Sequence, residues 1–268
     1  MSRTAKNAVI IMVATLLSRV LGFLRETILA NFYGTSMVAD VFVLTLNIPG
    51  LIISIVGSVI YMMYIPMYYD TKERLGEEES LKFTNNILNI LSVFSIIVSI
   101  LGIIFAGEII KIFAIGFTGE KFNLAVQFLR IMMFGVLFLS LNKIQSSFLQ
   151  VKESYLPASI VGVVYNIVII IAIFISVKLG SYYLAIGALV GLFIQVLLLL
   201  PCMYKRGYRY SFYMNIKDES IIKMIKLSIP MMMGVAMSQL NVYVDKALAS
   251  TLGDGKLAAL NYASRLND

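Results

Sequence analysis

Residues 159–177 read SIVGVVYNIVIIIAIFISV, a run without one charged side chain. As a helix rising 1.5 Å per residue it extends roughly 28 Å, the thickness of a bilayer's hydrocarbon core. A second uncharged stretch of that kind runs from Asn89 to Gly107. Hydrophobic residues make up 59% of the chain and charged ones only 14%, against about a quarter charged in a typical soluble domain. Mean hydropathy is +0.88. Backbone polar groups find no water in hydrocarbon, so apolar runs of this length cross as helices. The fold class is therefore an all-α polytopic membrane protein.

The same reading gives seven spans, near 7–33, 37–68, 84–106, 123–150, 155–177, 181–203 and 219–251, and the start of an eighth from 256. A short apolar stretch, Ile109 to Ile115, is expected at the interface, and Lys72 to Lys82 as a solvated loop. Arg19, Arg25 and Glu26 interrupt the first apolar stretch, which therefore does not read as a cleavable signal peptide. Near the span ends one side holds ten basic residues: Arg3, Lys6, Lys72, Arg74, Lys82, Lys152, Lys205, Arg206, Arg209 and Lys217. The other holds four, Lys111, Lys121, Lys178 and Lys256. The imbalance predicts a cytoplasmic N-terminus. It also accounts for the net charge of +7 without any nucleic-acid partner.

Three segments follow: an N-lobe of six spans over residues 1–203, a cytoplasmic connection over 204–218, and the start of a second lobe over 219–268. Arg25-Glu26-Thr27-Ile28-Leu29-Ala30 leading to Gly34 is echoed by Val244-Asp245-Lys246-Ala247-Leu248-Ala249 leading to Gly253, at a constant offset. Six spans between the copies imply a parallel repeat about an axis along the membrane normal. The chain is then expected to hold one complete lobe and to stop inside an eighth span.

Polar residues within the spans mark an internal path, because a charge in hydrocarbon needs a partner or a cavity. In the first span Asn7, Ser18, Arg19, Gly22, Arg25 and Glu26 share a sector of roughly 120°. Arginine's fork suits a phosphate or diphosphate; a pair between Arg25 and Glu26 or Asp40 is the competing arrangement. The second span carries Asp40, Asn47, Ser54 and Ser58 beside a Pro49–Gly50 kink, although Asp40 lies near the span's outer end, where solvation would also account for it. Gly234, Ser238, Asn241 and Asp245 share a face of the seventh span beyond Pro230. Asp245 there could bind Na⁺, carry a proton, or form a salt bridge as a gate. In the eighth, Asn261, Arg265 and Asp268 share a face. Arg130 and Lys143 in the fourth are expected to snorkel to opposite interfaces. The chain has no histidine, a single cysteine (Cys202) and no D-x-D or D-D pair inside a span, which argues against an enzyme of polyprenyl diphosphates using Mg²⁺ or a His base.

Ser18-Arg19-Val20-Leu21-Gly22-Phe23-Leu24-Arg25-Glu26, then Gly34 and Ala39-Asp40-Val41-Phe42, resembles the first helices of the MurJ (MviN) lipid II flippase family. Tyr155-Leu156-Pro157-Ala158 with Asn166 is similar to its fifth helix, and Gly187, Gly191, Gln195 and Leu200-Pro201 to its sixth. Asp245-Lys246-Ala247-Leu248-Ala249 and Tyr262-Ala263-Ser264-Arg265-Leu266 resemble helices seven and eight. The resemblance implies two six-helix lobes around a central cavity, in a bacterial plasma membrane. It implies a transporter that flips lipid II to the outer leaflet by alternating access, with Arg19, Arg25 and Arg265 holding the diphosphate, supported by Ser18 and Asp40. Asp245, with Asn241 and Glu26, would form a cation site or gate; Na⁺ or the membrane potential would drive the cycle, and no other cofactor is expected. Membrane lipids are the other implied partners. Alternatives are a flippase for another polyprenyl-linked saccharide or a drug exporter of the same superfamily. Two departures stand out: no arginine near Ile53 or Ser54, and Ala263-Ser264-Arg265 where the family has Ala-Asp-Arg.

Overall fold

A computed structural model describes residues 3–264, without the side chains of 3–8, 55–60, 236, 238 and 240–242. Ten α-helices appear among the described residues: α1 (Arg3–Tyr33), α2 (Met37–Leu75), α3 (Glu77–Ile104), α4 (Ala106–Phe113), α5 (Gly119–Met132), α6 (Gly135–Val151), α7 (Tyr155–Leu179), α8 (Tyr182–Lys205), α9 (Glu219–Ala249) and α10 (Lys256–Ser264). Five stretches are long and apolar enough to cross a membrane: the first part of α2, then α3, α5 with α6, α7 and α8. The helices α1 and α9, 31 residues each, have the length as well but carry several charged residues. Lipid-facing surfaces are apolar, as at Ile97 and Ile104 on α3 or Ile171 and Phe174 on α7.

Successive spans alternate in direction, α5 and α6 together forming one of them. The turns α1–α2, α7–α8 and α9–α10, with α4 and the Ala114–Thr118 segment, gather at one end, called here the turn end. Gly76, Lys152–Ser154 and the 206–218 connection lie at the other, the linker end. As expected, the apolar stretch after the third span forms a short helix of its own, α4, too short to cross.

Two expectations are corrected. The segment Lys72 to Lys82 is not a loop. Helix α2 continues to Leu75 and α3 starts at Glu77, leaving Gly76 alone at φ +94° as the turn. Glutamates 77–79 occupy the first turn of α3, where the helix dipole favours negative charge, and Lys72 and Arg74 occupy the last turn of α2, where it favours positive. Glu77 also pairs with Lys72 at 2.6 Å and with Lys152. The fourth span is likewise not one helix: it breaks into α5 and α6 at Met133–Phe134. Ser99 Oγ on α3 donates to the Met133 carbonyl at 2.8 Å, satisfying a group the break releases.

Small residues set the helix spacing. A Cβ on Gly187 would lie 2.0 Å from the Ala172 Cβ, so α7 and α8 meet almost backbone to backbone. Gly187→Val is expected to cost about 1–3 kcal/mol through overpacking. A lower unfolding midpoint in detergent, recovered by adding Ala172→Gly, would be the sign of it; an unchanged midpoint would contradict this packing.

The connection between α8 and α9 is not a free linker. Asn85, Asn86 and Asn89 on α3 bind its backbone: Nδ2 groups donate to the carbonyls of Arg209 (3.0 Å), Asn215 (2.9 Å) and Tyr213 (2.9 Å). Asn86 Oδ1 accepts from the Asn215 amide at 2.7 Å, and the Tyr208 and Tyr210 hydroxyls donate to Asn85 and Asn89. An extended segment without a β partner thus has its polar groups satisfied by one face of a helix.

Candidate functional site

The turn glycines of the repeat both adopt positive φ, Gly34 at +54° and Gly253 at +98°, where L side chains are strained. With the offset of 219 positions that relates them, Met37, the first residue of α2, corresponds to Lys256, the first residue of α10. The two helices nevertheless start differently. Helix α2 is capped by its own Ser36, whose Oγ accepts from the Ala39 amide at 3.3 Å. The residue matching Ser36 is Gly255, which has no side chain to cap with. Asp40 of α2 supplies the cap instead. Its Oδ1 accepts from the Ala258 amide at 2.7 Å and its Oδ2 from the Gly255 amide at 2.6 Å. Ala258 is the counterpart of Ala39, so one amide position is capped in both copies, once from within and once from the other lobe.

Asp40 is fully buried, and Lys121 of α5 donates to it at 2.7 Å and to Asp254 at 2.8 Å. The Lys121 ammonium also sits 4.2 Å from the centre of the Phe117 ring. Solvation near a span end does not account for Asp40; it is the hub of a closure. A Cβ on Gly255 would stand 2.1 Å from the Thr35 carbonyl oxygen, and one on Gly116 2.1 Å from that of Ser250, so the turns are in backbone contact. Gly116 also donates to Ser250 Oγ at 3.2 Å, and the Tyr262 hydroxyl to the Gly34 carbonyl at 3.2 Å.

At the linker end α2 and α9 also touch, by a different kind of bond. Lys223 meets Asp70 at 3.0 Å, Arg74 meets Glu219 at 3.5 Å and Thr71 meets Ser220 at 3.2 Å. These ion pairs are solvent-exposed, with side chains 32–82% accessible, against 0% for Asp40 and 9% for Lys121. Exposed pairs contribute about 0–1 kcal/mol each, whereas removing one partner of a buried pair costs roughly 3–5. The turn end is the firmly held one. The Lys223 hydrogen bond keeps the Asp70 carboxyl below its ordinary pKa, so this contact is present at neutral pH and weakens as the pH falls through that depressed value.

Between the ends lies the polar face of α1. Arg25 is buried; its Nη2 pairs with Glu26 Oε1 at 2.5 Å and its Nη1 donates to Asn166 Oδ1 of α7 at 3.1 Å. Asn166 Nδ2 donates to the Ser18 carbonyl at 3.0 Å, beside Gly22. Asn261 of α10 reaches back to Glu26 Oε2 at 3.3 Å, tying the second lobe to this cluster. Ser18 packs by its hydroxyl against Gly162. Arg19 lies about 9 Å along the helix from Arg25 and is exposed. Asp245 is exposed on a cleft of about 1060 Å³ between α2, α9 and α10, with Asn47, Lys246 and Asn261 on its walls. Asn261 is the residue common to the cleft and the Arg25–Glu26 cluster. Arg265 lies outside the described residues, as do Asp268 and the side chains of Asn7, Ser58, Ser238 and Asn241.

The spacing did not single out Lys143. It stands two residues from both Leu141 and Gln145, which face a groove between α3 and α8. At roughly 200° around the helix it projects to the opposite side, toward α2. There its ammonium lies 5.4 Å from the Tyr61 ring centre, and Tyr61 accepts from Gln150 at 2.6 Å. Lys143 is itself exposed, on the face of α6 that looks toward α2.

Helices in two repeated sets joined by a tethered connection define an all-α polytopic membrane protein with a parallel internal repeat. One solved chain with this fold is an "inward-facing conformation of a multidrug resistance MATE family transporter of the MOP superfamily", with TM-score 0.66 over 90% of this chain and 56% of that one at 14% identity. The profile described as "Lipid II flippase MurJ" matches residues 29–268, and the chain belongs to that family. A probable lipid II flippase MurJ of Buchnera aphidicola is 29% identical over 97% of this chain, and one of Aquifex aeolicus 29% identical over 94%. The solved "Lipid II flippase MurJ, inward closed conformation" superposes with TM-score 0.81 at 28% identity, covering 97% of this chain and 54% of that one. The chain spans about half the length of the curated relatives it matches: 52% of the Buchnera protein and 50% of the Aquifex one.

Proposed function

We propose that the protein flips lipid II, the lipid-linked peptidoglycan precursor, from the cytoplasmic to the outer leaflet by alternating access. The basic linker end faces the cytoplasm and the turn end faces outward. The observation that carries this reading is the asymmetry between the ends. Buried, charge-assisted bonds hold the outer end closed, while the inner end is held by exposed ion pairs around one buried, uncharged hydroxyl pair, so the inner end opens more readily to admit a headgroup. The diphosphate would meet Arg19 and Arg265, with Arg25 released from Glu26 as α1 and α10 separate. Lys143 adds a cation on the inner half of the first lobe, where this chain lacks the family's arginine near Ile53 or Ser54. The membrane potential, worth about 2.3 kcal/mol per charge per 100 mV, would return the empty, positively charged cavity. Na⁺ at Asp245 is a second possible drive. A basic cavity fits an anionic lipid better than the cationic substrates of drug exporters.

The test places the full-length protein in cells depleted of their own lipid II flippase. Restored growth is expected, and failure to restore it counts against the assignment. In rescued cells Lys143→Gln is expected to lower flipping by roughly 10- to 100-fold, the loss of one charge-assisted hydrogen bond, with the unfolding midpoint unchanged. Flipping at the parental rate would remove Lys143 from the path.

A further inference from the structure

On the side of the first lobe turned away from the α2–α9 interface, α3 and α8 splay apart over α6 and leave a groove of about 440 Å³. Its walls are apolar, with Leu88, Val93, Leu141, Val196 and Leu200. Three polar side chains interrupt them: Asn89 and Ser92 are satisfied by the Tyr213 and Leu88 carbonyls, and Gln145 is not. Gln145 is 4% exposed, and its Oε1 has no hydrogen-bond partner among the described residues. An unsatisfied buried amide oxygen is costly, and its presence in an apolar cleft points to a ligand with a hydrogen-bond donor. Gln145 stands six residues inside the end of α6, roughly 9 Å along the axis, near the boundary between hydrocarbon and headgroups. The roof is the tethered 206–218 connection, with Tyr210 54% and Phe212 80% exposed beside it, aromatic side chains of the kind that sit at that boundary. At the same end Lys205, Arg206 and Arg209 are exposed and form no ion pair among the described residues.

We propose that this groove is a binding site for a diacyl anionic phospholipid of the surrounding leaflet. One acyl chain fills the apolar cleft, a hydroxyl of the lipid headgroup donates to Gln145 Oε1, and the phosphate lies among Lys205, Arg206 and Arg209. Charge complementarity selects the occupant: three cations without acidic partners at the mouth of a hydrocarbon-lined slot favour a lipid with net negative charge. Because the roof is the segment joining the lobes, an occupied groove braces that segment against α3. Only the identity of the leaflet, the cytoplasmic one, rests on the proposed orientation.

These 268 residues contain no tryptophan, so Leu200→Trp, with any tryptophan elsewhere in the full-length protein changed to Phe, gives a single fluorescent reporter in the groove wall. The protein is reconstituted in phosphatidylcholine with a small fraction of chain-brominated lipid. Brominated phosphatidylglycerol is expected to quench at a mole fraction at least about fivefold lower than brominated phosphatidylcholine. Changing Lys205, Arg206 and Arg209 to Gln is expected to erase that difference. Equal quenching by the two lipids in the reporter protein overturns the proposal. So does a polyprenyl phosphate that displaces phosphatidylglycerol at lower mole fraction, or displacement by inorganic phosphate alone. Native mass spectrometry supplies a readout without the reporter: Gln145→Leu is expected to lower retained phosphatidylglycerol severalfold, and undiminished retention counts against the hydroxyl contact. Neither measurement reads flipping, so loss of the lipid II assignment leaves the result interpretable.

Discussion

Asp40→Ala is expected to open the turn end. The substitution removes both acceptors that cap α10 and leaves Lys121 buried beside Asp254 alone, whose side chain is 68% exposed. Stripping one partner from a buried pair costs roughly 3–5 kcal/mol, and an uncapped helix start roughly another 1. Charged to one state of a two-state equilibrium, a loss of that size shifts the populations by more than a hundredfold. Leu257, 2% exposed at the start of α10, becomes a reporter when changed to cysteine in a Cys202→Ser background. A membrane-impermeant maleimide is expected to label it in intact cells carrying Asp40→Ala and to leave it unlabelled with Asp40 present. Asp254→Asn is expected to change labelling little, since Asp40 still holds Lys121. Equal protection of position 257 in the Asp40→Ala protein would mean that the closure does not depend on this cap.

Arg25→Ala carries the other large effect and separates two roles for one side chain. Glu26 is as buried as Arg25, and Asn166 Oδ1 accepts from the same guanidinium. Removing the cation alone strands a carboxylate in the bundle, again roughly 3–5 kcal/mol. Neutralising both, as Arg25→Met with Glu26→Gln, removes the stranded charge, and the unfolding midpoint is expected to return most of the way. If Arg25 also meets the diphosphate during transport, the double variant stays inactive in the growth assay despite its regained stability. A double variant that regains both makes the pair a structural tie and takes Arg25 out of the substrate path.

Hydropathy alone made the membrane class legible, because burial in lipid is a property of each segment by itself. The polar sector of α1 was legible for the same reason: helical periodicity is local, and Ser18, Arg25 and Glu26 do lie together. The chain's own repeat showed that α10 starts where α2 does, and the glycine at the Ser36 position was a sign that the second copy lacks its own cap. Length is a weaker signal at a boundary, so the three glutamates after Gly76 read as solvent-loving loop when they are a helix start. Which groups complete which could not be read. Asp40 caps a helix 215 residues away, Lys121 arrives from α5, and Asn85, Asn86 and Asn89 hold a connection more than 120 positions distant. A hydrogen bond depends on positions a few ångströms apart in space, and a one-dimensional pattern carries only spacing along the chain. The sequence by itself determined a helical membrane bundle with charged side chains gathered on its first span. Only the tertiary structure decided that one end of the bundle is closed by a buried ion pair and the other by exposed ones, because that depends on which side chains the packed helices shield from water.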